Sequence, residues 1–147
     1  RVRITGGTFT MGKVQNQTGF PSDIPLSFGA DSCNVEISGG VFTEGVGLLA
    51  SQTRIRGGSL GVLTFGAGGG ERSCGEIHGG QIARLKAFGG RIFVFGTQLV
   101  DQPTGTDRSR LTGTLEDGTP IDVTVEHLFG TLILVAPGSP GCDTPPQ

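Results

Sequence analysis

The stretch Val35-Glu36-Ile37-Ser38-Gly39-Gly40-Val41-Phe42 decides how this chain is read. Its apolar-charged-apolar start sets Val35 and Ile37 on one side of a strand and Glu36 on the other. Gly39-Gly40 then permits a positive φ and a sharp corner, after which Val41-Phe42 begins a second apolar segment. The unit recurs as Ile4-Thr5-Gly6-Gly7-Thr8-Phe9, Ile55-Arg56-Gly57-Gly58-Ser59-Leu60 and Ile77-His78-Gly79-Gly80-Gln81-Ile82. Val94-Phe95-Gly96-Thr97-Gln98-Leu99 is a degenerate fifth copy in which Thr97 replaces the second glycine. The leading apolar residues are spaced by 33, 18, 22 and 17. A period near 20 residues is the length of one turn of a β-solenoid. The first gap is close to two of the others, so a coil between Phe9 and Ile37 is expected to have lost its signature.

Composition agrees with this reading. Of 147 residues, 28 are Gly, far above the usual share of about 7 %. Gly does not fall at every third position, which excludes collagen. Long helices are disfavoured because each interior Gly costs about 1 kcal/mol. No run of about 18 apolar residues is present, so no transmembrane helix is expected. The expected fold is a single-domain, all-β parallel β-solenoid, right-handed by preference because the left-handed hexapeptide repeat is absent. Gly6, Gly7, Gly39, Gly40, Gly57, Gly58, Gly79 and Gly80 are its expected corners.

The residue before each leading isoleucine is Arg3, Glu36, Arg54 and Glu76 in turn. With coils about 4.8 Å apart, these side chains form a ladder of alternating sign on the outer face. An exposed pair contributes only about 0–1 kcal/mol, but a slipped coil would set like charges together, so the ladder specifies register.

The repeat array is assigned to residues 1–109. Beyond it, Leu111–Leu115, Ile121–Val125 and Thr131–Val135 read as three short strands, the first two joined by an Asp117-Gly118 turn. Residues 110–136 are expected to form a C-terminal β cap over the open last coil. Residues 137–147, with four of the eight prolines, are read as an irregular tail. No capping helix precedes the first unit, an edge expected either to accept another subunit or to be covered by a cap upstream in a longer precursor. No leader is present at Arg1, so an export signal is expected to have been removed or not included.

Net charge is −2, with 11 basic and 13 acidic residues scattered along the chain. No basic cluster with interleaved aromatics occurs, so nucleic acid is not an expected partner. Cys33, Cys74 and Cys142 form no CxxC and have no His at ligand spacing, which argues against zinc. They are disulfide candidates: Cys33–Cys74, or a bond involving Cys142 within the chain or between subunits. Cys33 and Cys74 occupy similar places two coils apart, about 9–10 Å, which is too far without a bulging loop.

The repeat and the C-terminal block together resemble a family of exported bacterial β-helix proteins with "V-N-I-S-G-G" coils and a PEP-CTERM-like C-terminal region. Val35-Glu36-Ile37-Ser38-Gly39-Gly40 is the nearest copy, and Val94-Phe95-Gly96 is similar to the coil that ends the family's array. Leu111-Thr112-Gly113-Thr114-Leu115-Glu116-Asp117-Gly118-Thr119-Pro120 resembles its "L-x-G-x-L-x-D-G-x-P" strand-turn. Ala136-Pro137-Gly138-Ser139-Pro140 stands where the sorting segment would begin, without the motif proper, the apolar anchor or the basic end. The resemblance implies export and a surface or extracellular-matrix role, and names no ligand.

The remaining chemistry favours a scaffold. Gly66-Ala67-Gly68-Gly69-Gly70-Glu71-Arg72-Ser73 lacks the lysine of a phosphate loop and is read as a loop widening one coil. No Gly-Gly-x-Gly-x-Asp calcium repeat occurs; Asp31, Glu71 and Asp101 are isolated acids. Glu36 and Glu76 each face an arginine, which predicts paired acids without a catalytic role. His78 is expected at a surface corner, and His127, beside Glu126, in a solvated or hydrogen-bonded role. No catalytic residues, cofactor or metal are assigned. The expected function is a non-enzymatic, self-associating subunit of an extracellular filament, sheath or surface layer. The alternative is a carbohydrate-binding or adhesive module, weakened by the lack of Trp and Tyr, with a small polysaccharide-active enzyme behind it.

Overall fold

The computed structural model describes residues 2–9, 12–13, 25–31, 34–49, 52–66, 73–127 and 130–142. These residues are all-β, with no helix among them. The strands up to Leu49 are β1 (Val2–Ile4), β2 (Thr8–Phe9), β3 (Gly12–Lys13), β4 (Pro25–Asp31), β5 (Asn34–Ile37) and β6 (Val41–Leu49). β7 (Gln52–Ile55), β8 (Ser59–Phe65), β9 (Cys74–Ile77) and β10 (Gln81–Ala87) follow in the same alternation. The chain ends with β11 (Arg91–Gly105), β12 (Arg108–Leu115), β13 (Pro120–His127) and β14 (Thr131–Val135).

Two parallel ladders dominate one curled, open sheet. The first runs β1-β5-β7-β9-β11-β14. The second stacks β2 and β4 on β6, then β8, β10 and β13. Antiparallel pairs occur at both extremities of the second ladder, β3 on β4 and β12 on both β13 and β11, so the sheet as a whole is mixed. β11 belongs to both ladders: Arg91–Phe95 pairs with β14, and the chain from Gly96 pairs with β12.

The alternation of the sequence explains the core. In the first ladder Ile37, Ile55, Ile77 and Val94 fall in one register column and are fully buried. In the second, Val46, Leu63, Leu85 and Val125 do the same. The two columns belong to a single hydrophobic cluster. One position breaks the pattern. Gly75 follows Val35 and Thr53 in an inward column, and a Cβ there would lie 2.2 Å from Phe65 Cε1. The Phe65 ring, buried on the second ladder, takes the volume that a side chain at 75 would need.

The glycine pairs join one ladder to the other. Gly7, Gly40, Gly58 and Gly80 have φ of 101°, 101°, 99° and 98°, a region closed to most L-residues. The first glycine of each later pair lies against the turn before it: a Cβ on Gly57 would be 2.6 Å from the Ser38 carbonyl oxygen, and one on Gly39 would be 2.2 Å from that of Thr5. Gly6, in the first unit, meets nothing within 4 Å. Corner hydrogen bonds continue the ladders between turns, as from Arg56 N–H to Ile37 O (2.7 Å) and from Ser59 N–H to Gly40 O (2.9 Å). The degenerate copy shows what the second glycine does. Thr97 does not make a corner; the chain runs on as one strand of 15 residues, with Gln98 at φ 54° and a bulge between Thr97 and Val100.

One expectation is corrected by the register. Val2–Ile4 pairs directly with Val35–Ile37, so no coil is interposed in the 33-residue gap; the extra chain contributes β3 and β4. β13 and β14 rejoin the two ladders in parallel, and Leu111, Leu115, Ile121, Val123 and Val125 belong to the same core cluster as the repeats. The turn before β13 is as expected, with Gly118 at φ 92° and the Asp117 side chain accepting from Thr119 N–H at 2.9 Å.

Candidate functional site

Parallel register carries Arg3, Glu36, Arg54 and Glu76 into one outward row, continued by Phe93 and Ile133. Arg3 Nε lies 3.4 Å from Glu36 Oε1, and Arg54 Nε lies 3.2 Å from Glu76 Oε2. Arg56, one row over, approaches the other Glu36 oxygen at 3.9 Å. The Glu36 pairs are partly exposed and contribute little stability. Glu76 differs, because its side chain is only 7 % exposed. A buried carboxylate is costly unless its oxygens are satisfied.

Its partners converge from three parts of the chain. His78, two residues on, brings Nε2 to 3.0 Å from Glu76 Oε1. Cys142 donates its backbone N–H to Glu76 Oε2 at 3.3 Å. His78 Nδ1 meets Glu116 Oε2, in the turn after β12, and the Gly138 N–H donates to the second Glu116 oxygen at 3.3 Å. The His78 ring stacks on Phe95, with centroids 4.2 Å apart and planes 12° from parallel. Hydrogen bonding from His78 is the main cause that holds the Glu116 carboxyl below its ordinary value of 4.5, against the opposing effect of burial.

Cys74 and Cys142 form a disulfide. This resolves one of the pairings left open by the sequence; Cys33 lies outside the described residues, as does the loop 67–72 with Glu71. Beside the bond is a polar cleft of 160 Å³, walled by Asn34, Glu36, Gln52, Arg54, Glu76 and Cys142 among others.

The expected surface position of His78 is corrected: its side chain is 13 % exposed and held on both nitrogens. Both ring nitrogens face carboxylates, Glu76 on one side and Glu116 on the other. The arrangement is therefore a clamp between β9, the β12–β13 turn and the C-terminal segment. Sequence reasoning missed it because Glu116 and Cys142 stand outside the repeat.

His127, expected in a solvated or hydrogen-bonded role, is hydrogen-bonded. His127 Nε2 lies 2.6 Å from Ser109 Oγ, on the inward side of the β12–β13 pair. Ser109 is buried. Arg84 and Arg110 pair with Glu126 and Asp122 on the outer surface. Asp101 keeps one buried carboxylate oxygen without a partner, and the described residues hold no group of three His, Cys, Asp or Glu suited to a metal ion. No described helix is long and apolar enough to cross a membrane.

Compared with protein-family models, curated proteins and solved structures, the chain matches none. Its function is therefore argued from its own geometry.

Proposed function

We propose that this chain is a short parallel β-solenoid acting as a non-enzymatic structural subunit, exported from a bacterial cell and self-associating into a filament, sheath or surface layer. The observation that carries the reading is the outer edge of β14. Among the described residues β14 pairs with β11 alone. Thr131 N–H is spent on Gly90 O, and strand alternation turns the N–H and C=O groups of Leu132 and Leu134 to the open side. Leu132, Ile133, Leu134 and Val135 along it are half-buried and uncharged.

Proteins that remain monomeric blunt such edges with charge, proline or bulges. The antiparallel half of β11 has these devices: Asp101, Pro103 and two register shifts. β14 has none of them within Thr131–Val135. A strand of a second copy added there continues the ladder and covers the half-buried leucines. The disulfide suits an oxidising, extracytoplasmic compartment.

Light scattering over a concentration series tests the reading. The wild-type chain is expected to grow beyond a monomer. Ile133→Lys, which adds a charge on the outer face of the edge strand, is expected to raise the concentration needed at least tenfold with an unchanged circular dichroism spectrum. A wild type that stays monomeric throughout, or a variant that associates equally well, overturns it.

A second reading rests on the cleft. The neighbouring amides of Asn34 and Gln52, with Glu36 and Arg54, supply the donor and acceptor set that a surface glycan needs. Titration calorimetry with polysaccharide fragments decides it, and loss of binding in Gln52→Ala locates the site.

A further inference from the structure

The segment Ala136–Cys142 passes across the clamp. Gly138 donates to Glu116, Cys142 donates to Glu76, and both bonds are 3.3 Å long. A Cβ on Gly141 would stand 2.8 Å from the Glu76 carboxylate and 2.9 Å from Phe95 Cζ, so the segment lies close against that surface. Two long hydrogen bonds return less than the conformational freedom lost in ordering seven residues. The bond from Cys142 to Cys74 therefore keeps the segment down. Cys142 is also a wall of the polar cleft formed by Asn34, Glu36, Gln52 and Arg54.

We propose that Ala136–Cys142 is a redox-released strap that forms one wall of the polar cleft while the disulfide is intact and widens the cleft on reduction. A dithiol supplies two electrons and two protons: the S–S bond breaks, Cys74 and Cys142 become thiols, and the dithiol closes to its own cyclic disulfide. The strap then leaves, and Glu76 keeps Arg54 and His78 while its edge toward Cys142 becomes hydrated. The rest of the fold stays in place, because none of the ladder strands depends on the strap for pairing.

Hydrogen exchange of the full chain, in a Cys33→Ser background and at a concentration where it is monomeric, tests this with and without dithiothreitol. After reduction the amides of 138–142 are expected to exchange at the rate of an unstructured chain, while those of β12 and β13 stay protected and speed up only as far as the fall in global stability requires. Cys142→Ser is expected to reproduce the reduced pattern without reductant. Carbodiimide modification of Glu76 is expected to rise severalfold in both. Unchanged protection of 138–142 on reduction overturns the proposal. So does exchange of β12 and β13 at the rate of an unstructured chain, which would make the bond a staple of the whole fold.

Discussion

Cys142 is bonded to Cys74 and donates its backbone N–H to Glu76, two residues further along the same strand. The covalent bond and the hydrogen bond thus fasten the end of the described chain to β9. Closing a loop with a sequence separation of 68 restricts the unfolded chain. Cys142→Ser is expected to lower the unfolding free energy by about 2–4 kcal/mol, read from the urea midpoint at unchanged slope. A loss below about 0.5 kcal/mol would mean that the unfolded chain is already compact there.

The glycine corners differ in a way that substitution can detect. Gly57→Ala directs a Cβ at the Ser38 carbonyl, and Gly58→Ala adds a φ of 99° unsuited to alanine. Each is expected to cost at least about 2 kcal/mol. Gly6→Ala has open space and is expected to be neutral or to stabilise by up to about 1 kcal/mol through the unfolded chain. Thermal melts of the three variants check this order.

Phe65 and Gly75 share one volume across the core. Gly75→Ala alone is expected to cost about 1–3 kcal/mol by overpacking, and Phe65→Ala alone about 3–5 kcal/mol by leaving a cavity. In the double variant the new methyl occupies vacated space, so its cost should fall short of the sum by at least about 1 kcal/mol. Simple additivity in the double-mutant cycle would show that the two do not compete.

The clamp gives a pH dependence. Glu116 is held below its ordinary value chiefly by its hydrogen bond with His78. A carboxyl depressed in the folded state contributes stability that is present above its unfolded value and is lost as pH falls through the lower, folded one. Acid unfolding is therefore expected to steepen below pH 4.5. Glu116→Gln should be less stable at neutral pH and show a shallower acid limb. Asp122, held down by Arg110 on the surface, acts in the same direction, so Asp122→Asn is the control for a pair outside the clamp.

The features legible in the sequence repeat with the turns. Val35, Ile37, Ile55 and Ile77 announce the inward columns, and Arg3, Glu36, Arg54 and Glu76 announce the outward row, because parallel pairing brings equal positions together. What was not legible joins unequal positions. His78 looks like a corner residue beside Ser38 and Arg56, and only the return of Glu116 and Cys142 from outside the array makes it a clamp. The direct pairing of Val2 with Val35 was hidden because residues added between turns lengthen the spacing without adding a rung. Likewise, nothing periodic in Ile121–Val135 marks it as rejoining both ladders.

Electron microscopy of the purified chain, joined to fibre diffraction, tests the proposed assembly most directly. Ordered polymers with an axial spacing near 4.8 Å, the distance between stacked strands, are the expected result. A monodisperse monomer at every concentration, above all one that binds a glycan, would contradict it.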